Sequence, residues 1–196
     1  QTADQAAIAQ VTGLKPEQVT IETLYAGGSF GRRANPQSDY VIECAEIVSR
    51  LAKMGTRGVP VKLVWTREDD MRAGYYRPLY LHALRAGLDA SGSIVGWQHR
   101  IVGQSIADGT AFEKVLVKNG VDETSVEGAS TLPYAIPAIA VDLHSPYGAV
   151  PVQWWRSVGS THTAFSTETF LDELAAAAGQ DPLAMRRALL AKHPRH

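Results

Sequence analysis

The chain has 196 residues, 45% of them hydrophobic and 20% charged, and a formal net charge of −1. That length suits one large domain or two small ones with a real core, and the near-neutral charge excludes the basic footprint of a nucleic-acid-binding protein. No run approaches the roughly 18 consecutive apolar residues of a membrane span, and a single cysteine, Cys44, excludes an internal disulfide. Such cysteine usage fits the cytoplasm and equally a disulfide-free periplasmic protein.

In chain order, residues 3–12 read as an alanine-rich helix stopped by Gly13, and residues 13–18 as a turn. Val19 to Leu24 alternates apolar and polar, which predicts a strand. Ser38 is a candidate N-cap for a helix running to about Lys53, with Val41, Cys44, Ala45, Val48, Leu51 and Ala52 forming its apolar stripe. Cys44 on that stripe reads as a buried structural thiol. Residues 55–60 break the helix, and Val61 to Trp65 predicts a second strand. Thr66-Arg67-Glu68-Asp69-Asp70-Met71 reads as a capped helical turn rather than a carboxylate site.

Leu79 to Leu88 and Ile94 to Gly103 predict a hairpin turned by Asp89-Ala90-Ser91-Gly92. His82 and His99 fall nearly opposite each other across it and read as a cross-strand pair, not as metal ligands. Residues 103–128 are polar and poorly patterned. They predict a long surface excursion, with a possible subdivision of the chain near 104–130. Ile139 to Leu143 is a further strand. Thr161 to Ala178 and Pro182 to Lys192 are helices, the first ended by Gly179 and the second begun by Asp181-Pro182. Strands and helices mix without a βαβ rhythm, which gives an α+β class with a mixed or antiparallel sheet and packed helices.

Two segments carry chemistry. In Gly27-Gly28-Ser29-Phe30-Gly31-Arg32-Arg33, glycines let backbone amides approach a ligand and the arginines suit an anion. The spacing is neither a Walker A loop nor a Rossmann fingerprint. Two readings stay open: a cofactor loop opening toward a helix N-terminus, or a tight connection with Phe30 as a core plug. In Trp154-Trp155-Arg156-Ser157-Val158-Gly159, the arginine is either stacked on the indoles or presented to an anion. Ser157 lacks the surroundings of a hydrolase nucleophile.

Taken in order, these segments with Trp65 to Met71, Tyr75-Tyr76-Arg77-Pro78, Trp97 to Gly103, Leu132 to Pro137, Glu168 to Ala175 and Asp181-Pro182-Leu183 resemble the molybdopterin-binding large subunit of the xanthine oxidase family of molybdenum hydroxylases. Within it, the isoquinoline 1-oxidoreductase beta subunits and bacterial aldehyde dehydrogenases are most similar. The resemblance implies the molybdopterin-binding fold of the aldehyde oxidase and xanthine dehydrogenase type. It implies that Gly27, Gly28, Ser29, Phe30, Gly31, Arg32, Arg156, Ser157, Val158 and Gly159 meet a molybdenum-pterin cofactor, of the cytosine dinucleotide form in bacterial relatives, with Arg156 buried against it. The implied partners are a [2Fe-2S] small subunit and a cytochrome c subunit, and the implied substrate is a small N-heterocycle or an aldehyde.

The family's base, a glutamate in a Gly-x-Gly-Glu segment, has no counterpart here, so no catalytic residue is assigned. The chain reads as an internal fragment, expected to hold no molybdenum and to be inactive alone. Ala34 stands where purine-oxidising relatives have a glutamate, Val158 replaces a phenylalanine, and residues 119–135 contain no arginine. A neutral substrate therefore fits better than a xanthine. The alternatives are a non-catalytic assembly module of the same fold, or an unrelated phosphate- or nucleotide-binding domain.

Overall fold

The computed structural model describes residues 2–196. The chain forms two compact units, the first ending at Tyr75 and the second being Tyr76–His196. Residues 104–130 lie wholly inside the second.

The first unit contains α1 (Thr2–Thr12), α2 (Asp39–Lys53) and α3 (Arg67–Ala73), with a 3-10 turn at Pro16–Gln18. The Gln5 side-chain amide donates to the carbonyls of Pro16 and Val19, tying that turn to α1. Helix α2 begins where expected, but Ser38 makes no side-chain cap; it is buried in a left-handed conformation with φ 54°. Asn35 does the capping instead: its Oδ1 accepts from the backbone N–H groups of Gln37 at 2.8 Å and Asp39 at 3.4 Å. Helix α3 is capped as its sequence suggests, and the cap is a capping box, Thr66 Oγ1 accepting from Asp69 N and Asp69 Oδ2 from Thr66 N, each at 3.2 Å.

The two strands expected in this unit do not form. Residues 61–65 do alternate half-buried and exposed, as a strand would, yet neither they nor residues 19–24 join a ladder among the described residues. Alternating polarity dictates which side chains turn inward, but a strand also needs a partner for its N–H and C=O groups.

The second unit is built on a mixed three-stranded sheet. β1 (Tyr80–Leu88) pairs antiparallel with β2 (Ile94–Gly103), as the hairpin reading requires. Asp89 Oδ1 closes the turn by accepting from the N–H groups of Ser91 and Ser93, while Gly92 takes φ 78°. Residues 103–128 then fold into α4 (Glu113–Leu116), the two-residue strands β3 (Val117–Lys118) and β4 (Val121–Asp122), and α5 (Glu123–Val126). β5 (Ile139–His144) joins β2 in parallel, giving the order β1-β2-β5. α6 (Ser160–Ala177) and α7 (Pro182–Leu189) complete the unit.

One face of β2 buries Ile94, Trp97, His99 and Ile101. Ile94 and Trp97 share a core with Leu171, Leu174 and Ala175 of α6, Met185 of α7, and Tyr134 and Ile136. The helix ends behave as read: Gly179 takes φ 64°, and Asp181 Oδ1 accepts from Ala184 N. Helix α7 ends at Leu189, short of Lys192. Arg186, on α7, reaches Glu168 Oε2 at 2.9 Å and the Glu168 carbonyl at 2.8 Å. Tyr134 donates to the same carboxylate. Burial and that carboxylate push the Tyr134 phenol up to about 12.

The expected surface excursion holds for residues 108–121, which are exposed or half-buried, but both flanks of the 103–128 segment belong to the interior. Ser105, Ile106, Ala107, Asp122, Ser125 and Val126 are buried. Asp122 ties these flanks together from within. Asp122 Oδ2 accepts from the hydroxyls of Ser105 at 2.6 Å and Ser125 at 2.8 Å, and its Oδ1 accepts from Thr124 N and Oγ1.

Candidate functional site

The glycine loop lies in the first unit and is held in unusual backbone geometry. Gly28 has φ 111°, Phe30 φ 52° and Gly31 φ 106°. The Phe30 ring folds back so closely over Gly28 that a Cβ there would sit 3.1 Å from it. Phe30 is 57% exposed, which overturns the core-plug reading. A non-glycine residue at positive φ is uncommon, and such strain gathers at ligand sites.

The loop closes through two turns, Arg32 N donating to Ser29 O and Ala34 N to Gly31 O, each at 2.9 Å. It does not open directly onto a helix N-terminus, because α2 starts only at Asp39. Arg32 spans that gap with a bidentate bond to Asp39, at 3.2 and 2.7 Å. Its guanidinium lies 6.0 Å from the Trp65 ring and 5.5 Å from the Tyr75 ring. The hydrogen bond to Asp39 raises its pKa above the ordinary arginine value. Arg32 is thus engaged within its own unit, while Arg33 beside it is exposed. A cavity of about 590 Å³ adjoins the loop, lined in part by Tyr25, Arg32, Arg33, Cys44 and Trp65. Cys44 is half-buried on its wall, not sealed in the core as expected.

The second segment lies in the second unit. After Trp155 the chain turns sharply, Val158 N donating to Trp155 O at 3.0 Å. Ser157 and Val158 take φ 71° and 42° in succession, and a β-branched residue at positive φ is a genuine outlier. The Arg156 carbonyl accepts from Arg77 Nη1 at 3.2 Å and from Thr161 Oγ1 at 3.0 Å. Arg156 is exposed, not buried as the resemblance implied. The Trp154 ring packs edge-on against Phe112.

Gly159 ends the turn, its N–H donating to Glu127 Oε2 at 3.1 Å. A Cβ at this position would collide with the Thr124 carbonyl. Gly159→Ala should therefore destabilise the second unit by about 2 kcal/mol, read as a lower urea midpoint with an unchanged slope.

The paired histidines are present, but offset. Leu84, not His82, faces His99 in the register. His82 Nδ1 reaches diagonally to His99 Nε2 at 2.8 Å. A third imidazole, missed from the sequence, extends the chain: His162 Nδ1, on α6, lies 3.1 Å from His82 Nε2. Tyr80 stacks on His162 with centroids 3.7 Å apart. Burial lowers all three pKa values, those of His99 and His162 to about 4. No group of three or more His, Cys, Asp or Glu among the described residues is arranged to hold a metal ion.

A family model described as the molybdopterin cofactor-binding domain matches residues 1–190. The chain belongs to the molybdopterin cofactor-binding domain family. The domain is 26% identical over 195 residues to the isoquinoline 1-oxidoreductase subunit beta of Brevundimonas diminuta, covering 99% of this chain and 24% of the relative. It is 31% identical over 185 residues to a membrane-bound aldehyde dehydrogenase [pyrroloquinoline-quinone] of Gluconacetobacter polyoxogenes, covering 88% and 22%. Its fold matches that of the crystal structure of quinoline 2-oxidoreductase from Pseudomonas putida 86, with a TM-score of 0.70 at 18% identity, over 95% of this chain and 22% of the other. The domain thus spans about a quarter of the length of these relatives. The resemblance to xanthine oxidase-type large subunits holds, as does the α+β class. No helix of the domain among the described residues is long and apolar enough to cross a membrane.

Proposed function

We propose that the domain helps hold a molybdenum-pterin cofactor in the large subunit of an oxidoreductase that hydroxylates a neutral N-heterocycle or oxidises an aldehyde. The observation that carries this reading is the coincidence of backbone strain with the family positions. The positive φ values at Gly28, Phe30 and Gly31, and again at Ser157 and Val158, fall on the segments matched by resemblance. The first exposes backbone at Gly27 and Gly28 that can meet a ligand, and the second turns the exposed Arg156 and Ser157 outward.

The donor chemistry also fits. The cofactor is a polyanion, and it asks for unhindered N–H groups and cations. Gly27 has nothing within 4 Å of where a Cβ would stand, and Ser29 is half-buried beside it. Arg33 and Arg156 are exposed cations next to the two strained segments. Arg32 serves differently from the expectation: its bidentate bond to Asp39 braces the loop.

When bound, the cofactor supplies the redox chemistry of substrate oxidation. The domain's residues would bind and orient. Gly27 to Gly31 would present backbone amides, Phe30 an apolar wall, and Arg156 a positive charge beside the Ser157–Gly159 backbone. Ala34, Val158 and the absence of arginine from residues 119–135 leave no charged anchor for a purine, which supports a neutral substrate. The cytosine dinucleotide form, a [2Fe-2S] small subunit and a cytochrome c subunit belong to the same proposal. So does the inactivity of this stretch of chain when isolated, since it lacks a Gly-x-Gly-Glu base.

Arg156→Ala tests the assignment in the intact protein. Molybdenum content or turnover should fall by about tenfold, as expected for losing one charge-assisted contact of roughly 1.4 kcal/mol. Unchanged metal content and rate in that variant would remove Arg156 from the site.

A further inference from the structure

Beside the Trp155–Gly159 turn the second unit forms a small, partly open chamber of about 30 Å³, whose walls include Tyr80, Gln153, Trp155, Thr161 and His162. One water needs roughly 10–15 Å³ of such space and at least two polar partners. Two nitrogens of the lining residues, Trp155 Nε1 and His162 Nε2, are shielded from solvent and have no hydrogen-bond partner among the described residues. Shielded polar atoms in folded proteins are nearly always satisfied, by protein or by an ordered small molecule. We infer that this chamber is a binding site for one neutral hydrogen-bonding molecule of the size of water, held between Trp155 Nε1 and His162 Nε2.

The chemistry of the two ends selects the occupant. The indole N–H only donates, so the occupant must accept there. What His162 Nε2 offers is decided by the imidazole chain behind it. In a neutral chain each imidazole carries one proton, so the N–H groups of His99, His82 and His162 all point the same way. In one direction His162 Nε2 donates into the chamber; in the other it accepts. Water satisfies both, whereas a halide can only accept. The Tyr80 ring, stacked at 3.7 Å, holds the plane of the His162 ring in either case. Arg77, the cation on the same wall, spends its Nη1 on the Arg156 carbonyl and Thr161 Oγ1. Unlike the cofactor reading, this site rests only on residues of the second unit.

A crystal structure of the intact protein at neutral pH tests it. The expected result is one isolated density peak within about 3.2 Å of both nitrogens. Its absence, or a chamber filled by a rearranged side chain, would overturn the inference. A bromide soak separates the neutral ligand from an anion: an anomalous peak in the chamber would contradict a neutral occupant. Trp155→Phe keeps the ring but removes the N–H, and should empty the peak. If that variant does not fold, the wild-type density alone decides.

Discussion

Acidifying the protein from pH 7 to pH 4 should cost the second unit about 3 kcal/mol of stability through His99 alone. His99 is fully buried, and burial holds its pKa at about 4 against an ordinary 6.5. Above pH 6.5 the imidazole is neutral in both the folded and unfolded chain, and the full stability is present. Between 6.5 and 4 the unfolded chain takes up a proton that the folded chain refuses, so stability falls as the pH falls; below 4 both are charged and the loss levels off. Each pKa unit is worth about 1.4 kcal/mol. His162, also lowered to about 4 chiefly by burial, acts in the same window, and His82, lowered by burial, acts in the same direction. The groups that face this chain are Tyr80, Asp142 and Arg77, and only Asp142 opposes the shift of His99. Urea midpoints measured from pH 7 to pH 4 check this. A flat profile would mean that the three imidazoles are not held neutral together.

Asp122→Ala should destabilise the same unit by about 3 kcal/mol. The carboxylate is 1% exposed and accepts from two buried serine hydroxyls, a backbone N–H and a threonine hydroxyl. Alanine would strand those donors, and a buried unsatisfied donor costs about 1–3 kcal/mol. The network continues to Tyr80, whose Oη lies 2.9 Å from Ser125 Oγ. The hydrogen-exchange protection of β1 should therefore fall together with the overall stability. A loss under 1 kcal/mol would show that Asp122 is not what holds Ser105, Thr124 and Ser125 together.

These two predictions concern what sequence reasoning placed least well. The hairpin, the three helices longer than ten residues, and the caps at Thr66 and Asp181 were legible because each rests on local chemistry: a turn residue, a cap or an apolar period. Residues 103–128 were not. At their flanks the polar side chains of Ser105, Thr124 and Ser125 look solvent-facing until Asp122 gathers them, and that convergence is tertiary. His162 was hidden for the same reason, being 80 residues from His82. At the candidate site the glycine loop and the Arg156 turn were visible as motifs. The strain at Phe30 and Val158, the exposure of Phe30 and Arg156, and the pairing of Arg32 with Asp39 were not, because each depends on how neighbouring backbone closes around it.

The central claim, that the domain binds a molybdenum-pterin, is tested most directly by metal and cofactor analysis of the intact protein, produced with the proposed small subunit in a molybdate-replete host. The account predicts about one molybdenum per large subunit and a released pterin. A correctly folded complex with no molybdenum, or with a quinone in place of the pterin, would contradict it.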